Sequence, residues 1–182
     1  MGIRNSNVEF GSVAKWLHWL VAVGILCLIY LGVEQAGMER GPDKSAIRAL
    51  HASIALVVLV LMSSRLVWRL ANVVPAHPDG NPPWQRAMAS VVHWGNYAAV
   101  FVQLISGPMT IATTGNPVSF FNIVDIALPV AENHDAHEFW EEVHEFTWKI
   151  VAALLVVHVL GALYNHFVLK NDVLRRMTTG VR

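Results

Sequence analysis

Residues 144–170 read HEFTWKIVAALLVVHVLGALYNHFVLK, an apolar run carrying His144 and, fourteen positions further on, His158. On an α-helix this spacing is a separation of roughly 21 Å along the axis. Fourteen steps of about 100° return to within roughly 40° of the starting direction, so both side chains can face one interior. A single helix can thus present a nitrogen ligand near each face of a membrane. Two stacked haems, forming an electron path across the bilayer, suit such a helix.

Three further runs of the same kind precede it. The first extends from about Trp16 to Val33 without a charge. The second starts near Ala49, is uncharged to Ser64, and continues through Arg65 to about Leu70. The third covers roughly residues 87–114, where the Gly107-Pro108 step predicts a kink or an early end. The fourth is uncharged from Ile150 to Leu169 and is expected to start a turn or two earlier. Runs of this length fit membrane crossing better than a soluble core. The expected fold is all-α: an integral membrane four-helix bundle, one domain over residues 1–182. The first run lacks a small-residue cleavage site and reads as a retained span. Pro75 to Pro83 and Gly115 to about Phe139 read as loops.

Composition agrees. Hydrophobic residues make up 54% and charged ones 14%, against roughly 25% charged in an average soluble domain. Net charge is zero, so nothing draws the chain toward nucleic acid. Cys27 is the single cysteine. This excludes an internal disulfide, a cluster held by several local thiolates and a C-x-x-C-H attachment, so any haem is held non-covalently. In its apolar run Cys27 reads as a small packing residue.

Charge sets the expected orientation. Arg4, Lys15, Arg65, Arg69, Arg86, Lys170, Arg175, Arg176 and Arg182 fall in the N-terminal segment, the second connection and the tail. The first connection balances Arg40, Lys44 and Arg48 with Glu34, Glu39 and Asp43. The third carries Asp125, Glu132, Asp135, Glu138, Glu141, Glu142 and Glu145 with no base before Lys149. The positive-inside rule then puts both termini in the cytoplasm and the acidic connection outside.

This topology sorts the histidines by depth. His18 and His93 lie near the inner starts of spans one and three. His51 opens span two on the outer side. In span four His144 is outer, His158 lies toward the inner end, and His166 is near the inner surface. Depth alone pairs His51 with His144 and His18 with His158, each pair able to hold one iron axially. Histidine buried in hydrocarbon is functional by default. His93 competes with His18 at one depth, with packing, hydrogen bonding or quinone contact as its other roles. His77, His134 and His137 read as solvated loop residues. Arg65, Arg69 and Arg48 are candidates for haem propionates, with plain surface placement as the alternative.

Other constellations compete. Glu141-x-x-His144 has the helical spacing of a di-iron carboxylate site, but no second such pair or facing glutamates are found. His134, His137 and His144 could gather an adventitious metal. A haem-free transporter is disfavoured by the pairing of the helix-end histidines.

Lys15-Trp16-Leu17-His18-Trp19 resembles the bacterial cytochrome b561 family, as does Ala49-Leu50-His51 with the basic end Arg65 to Arg69. So do Val143-His144-Glu145, Val157-His158, and Tyr164-Asn165-His166-Phe167-Val168-Leu169-Lys170-Asn171-Asp172 with Leu174-Arg175-Arg176-Met177. The resemblance covers nearly the whole chain. It implies a four-helix membrane cytochrome with two non-covalent b haems on His18, His51, His144 and His158, exchanging electrons with quinone at the bacterial inner membrane. It further implies superoxide oxidation coupled to ubiquinone reduction as the leading activity. His93, Asn165 and His166 are the candidate quinone contacts. An anionic substrate favours a positive funnel. The acidic third connection departs from one, although Arg40, Lys44 and Arg48 could form a local basic rim. That acidity equally suits a basic periplasmic donor such as a small c-type cytochrome. The alternative function is a membrane anchor subunit for a separate dehydrogenase or cytochrome.

Overall fold

The computed structural model describes residues 2–76 and 82–180. His77 and Arg182, read above as a loop residue and part of the basic tail, lie outside the described residues. Four long helices dominate: α1 (Ser12–Gly37), α2 (Pro42–Ala71), α3 (Pro83–Ala112) and α4 (His134–Phe167). All four are long and apolar enough to cross a membrane. They span roughly 39 to 51 Å, against a hydrocarbon core of about 30 Å. A hairpin of β1 (Val118–Phe120) and β2 (Val124–Ile126) and a short α5 (Val173–Met177) complete the chain. The two strands are the one departure from an all-helical chain among the described residues.

Local chemistry explains the helix ends. Pro42 and Pro83 stand in the first turns of α2 and α3, where a missing N–H leaves nothing unpaired. α4 begins earlier than its apolar run suggests. The Asn133 side chain caps it by accepting from Ala136 N at 2.8 Å. His134–Glu138 and His137–Glu141 then face each other one turn apart, at 3.3 and 3.8 Å. His134 and His137 therefore sit on a helix, contrary to the loop expected for them. α3 does not end at Pro108 but continues to Ala112. Membrane helices accommodate proline, and in the same stretch Thr110 Oγ1 donates to Ser106 O at 2.9 Å.

Packing is strongest between α1 and α2 and between α3 and α4. The two halves meet mainly through α2 and α3. The core is small, including Val21, Ala55, Val58, Met62, Tyr97, Val100, Leu104 and Val151. Much apolar surface points outward: Val23, Leu26, Tyr30 and Val33 form an exposed stripe on α1, the inverse of a water-soluble bundle. In lipid, close backbone approach replaces the hydrophobic drive. Gly24 supplies it where α1 crosses α2, since a Cβ there would lie 2.5 Å from Val58 Cγ2. The hairpin packs on α2 through Ser53. Its hydroxyl oxygen accepts from Phe121 N at 2.8 Å and lies 3.2 Å from Ser119 O. α5 ties the end of α4 to α1, with Trp19 Nε1 donating to Met177 O at 2.9 Å.

Candidate cofactor site: histidine pairs along one helix

α4 carries His144 and His158, and each meets a ring from the other half of the bundle. His51 from α2 faces His144 with ring centres 6.4 Å apart and planes at 76°. His18 from α1 faces His158 at 6.0 Å and 58°. His93 from α3 also reaches His158, at 5.4 Å. The four histidines paired by depth are thus brought together in those pairs, and His93 joins one of them.

The residues fit a bis-imidazole metal centre. An iron–nitrogen bond of about 2.0 Å on each side places two axial ring centres roughly 6 Å apart. His51 Nδ1 is buried without a hydrogen-bond partner. Among the described residues no group of three or more His, Cys, Asp or Glu could hold a bare metal ion. The di-iron and loop-metal alternatives therefore have no assembled site there. His137 Nδ1 bonds Thr110 O at 2.9 Å, while His144 turns to Gln103 and Ser106. Two facing imidazoles are a donor set that the iron of a b-type haem accepts.

Of the remaining candidates, Arg65 and Arg69 lie together in a pocket with Ala14 and Tyr97, and the others stand apart. Arg48 is exposed. Arg65 Nη1 donates to Ala14 O at 3.3 Å, on the turn before His18. Arg69 stacks over Trp94 and Tyr97, 5.2 and 5.7 Å from the ring centres. Asn165 accepts from Asn171 Nδ2 at 2.7 Å and shapes the turn into α5. His166 packs edge-on against Phe167, and its Nδ1 is buried without a hydrogen-bond partner. Asn165 and His166 lie about two turns beyond His158 on α4.

Sequence reading missed three residues. Gln103 Nε2 lies 3.0 Å from His144 Nε2, and Ser106 Oγ lies 2.9 Å from His144 Nδ1. A Cβ on Gly107 would come within 3.1 Å of His144 Cε1. The available signal was two polar residues one turn apart inside an apolar run, beside the glycine read only as a kink. Lys15, counted for orientation, is buried at 6% exposure, with its Nζ unpartnered.

A multi-pass helical protein whose spans bring histidines together in pairs belongs, by fold and donor set, with the membrane b-type cytochromes. The model for prokaryotic cytochrome b561 matches residues 9–180. The chain belongs to that family. It is similar to cytochrome b561 homolog 2 of Escherichia coli (strain K12), at 26% identity over 97% of this chain and 95% of that protein. Cytochrome b561 homolog 1 of the same organism is 29% identical, over 93% and 96%. A protein of Yersinia pestis named probable superoxide oxidase CybB is 26% identical, over 93% and 95%. The chain is therefore a multi-pass bacterial membrane protein of an electron-transfer family that binds haem b.

Proposed function

We propose that this single-domain chain holds two haems b and carries electrons across the inner membrane to the quinone pool, with both termini cytoplasmic. His51 and His144 hold the outer haem, and His18 and His158 the inner one. The observation that carries this reading is the placement of both ring pairs, at 6.4 and 6.0 Å, along one helix. Each haem supplies a one-electron couple. With both imidazoles of a pair holding the iron, the donor would not need to bind the metal. The four imidazoles are partly buried between the helices, where holding a metal would offset the cost of placing polar rings in the bundle. Lys15, one turn before His18, and Arg65 are the cations suited to the inner propionates, with Arg69 behind them and Arg48 as the outer candidate. His93, Asn165 and His166 are the polar groups suited to ubiquinone and its protons.

The leading activity is superoxide:ubiquinone oxidoreduction. Two superoxide anions become two O2, and their two electrons with two protons convert the quinone to quinol. The likeness to the probable superoxide oxidase supports this donor. The test is a superoxide flux applied to oxidised, detergent-purified protein. Reduction of its b-type absorption bands, abolished by superoxide dismutase, is expected; bands that stay oxidised overturn the activity.

One observation favours a second donor. Asp125, Glu132, Asp135, Glu138, Glu141 and Glu142 are all exposed on the hairpin, the loop that follows it and the start of α4. Such a face suits a basic protein donor, for which the chain is a membrane anchor and electron acceptor. Reduction by a basic c-type cytochrome but not by superoxide selects this reading.

A further inference from the structure

Polar side chains inside a membrane helix are costly and mark function. Ser106 is fully buried on α3 at 0% exposure. Its Oγ lies 3.2 Å from the Gln103 carbonyl, to which the hydroxyl donates, and 2.9 Å from His144 Nδ1. A serine hydroxyl has one proton. With that proton on the carbonyl, the oxygen accepts the Nδ1–H of His144, and the imidazole lone pair is left on Nε2. In this tautomer the Gln103 amide nitrogen, 3.0 Å from Nε2, is the donor to that lone pair. An iron held at Nε2 would take the place of the amide there. Gly107 completes the seat by letting the ring lie against α3 where a Cβ would come within 3.1 Å of it.

We propose that Ser106 is a positioning residue for the outer haem. It holds His144 in the Nδ1–H tautomer with Nε2 presented to iron, and it strengthens the imidazole as a donor. This inference rests on the outer pair holding a haem. An acceptor on the far nitrogen of a ligating histidine fixes the ring and raises its basicity, and losing it typically costs about 10- to 100-fold in metal affinity. A more basic imidazole favours ferric over ferrous iron, so Ser106 lowers the reduction potential of the outer haem.

The test uses the full chain purified from haem-replete cells as wild type, Ser106→Ala and Ser106→Thr, with His51→Ala assigning the inner couple. Haem content, a spectroscopic redox titration and the ferric EPR spectrum are read for each. In Ser106→Ala the outer couple is expected to rise by about 59 mV for a tenfold loss of ferric preference. Its ferric signal changes, and the inner couple stays in place. Ser106→Thr, which keeps the hydroxyl, returns the outer couple toward wild type. Two bound haems with an unmoved outer couple in Ser106→Ala overturn the proposal, as do equal shifts at both haems. If alanine expels the outer haem, threonine decides. Recovery at the wild-type potential supports the proposal, and loss there too overturns it. A wild-type chain lacking haem at the outer pair removes instead the reading beneath it.

Discussion

His51 and His144 face each other with ring centres 6.4 Å apart, although α2 and α4 hardly approach through their backbones. The same holds for His18 of α1 and His158 of α4. In each case the imidazoles reach across the seam between the α1–α2 half and the α3–α4 half. A group ligated by both rings of a pair therefore joins the halves where helix packing does not.

Removal of haem should accordingly loosen the bundle. A ligand bound only by the folded state adds about 2.7 kcal/mol when present at a hundredfold excess over its Kd. Haem-depleted protein is expected to unfold at a lower temperature in detergent than the loaded protein. Equal Tm values would show that the halves do not depend on the cofactor.

His51→Ala and His144→Ala are each expected to remove the outer haem and leave the inner one. Pyridine haemochrome assays then read about half the wild-type haem per chain in both variants. Full haem in both would overturn the pairing.

His18 and His93 both reach His158, and the proposed function separates them. His18→Ala should cost the inner haem, whereas His93→Ala should keep both haems and alter the rate of quinone reduction. Haem lost from His93→Ala but kept in His18→Ala would exchange their roles.

Gly24→Ala places a methyl 2.5 Å from Val58 Cγ2, a β-branched side chain only 1% exposed. Overpacking of this kind costs about 1–3 kcal/mol. Thermal unfolding should show the loss, and Val58→Ala combined with Gly24→Ala should recover much of it. A double variant no better than the single one would deny that these residues set the α1–α2 approach.

The exposed acids on the hairpin, the following loop and the start of α4 predict an ionic-strength signature. A basic protein donor should reduce the chain more slowly as salt rises from 0.01 M, where the screening length is about 30 Å, to 0.15 M, where it is about 8 Å. Superoxide, an anion, should not show that slowing if the same acids dominate the approach. Stopped-flow reduction rates distinguish the two donors.

The spans, the histidine depths and the fourteen-residue interval were legible because helical periodicity and hydropathy are local properties of the chain. The polar start of α4 was not, because its stability comes from the Asn133 cap and from His134–Glu138 and His137–Glu141 contacts that carry no apolar signature. Nor was the hairpin: Phe121 and Asn122 take left-handed φ values of 51° and 56° without a glycine to announce the turn. Ser53, 68 residues from Phe121 in sequence, supplies its anchor.

From the residues alone came a four-span membrane chain and two histidine pairs assigned by depth, since depth follows from position along a helix. Only the tertiary structure decided which rings meet. Helix rotation and neighbour choice depend on close contacts such as Gly24 with Val58. It also brought Ser106 to His144 Nδ1 across 38 positions of sequence and carried His93 to His158. A short hydrogen bond between distant residues has no local trace, because it exists only once two separately formed helices have packed.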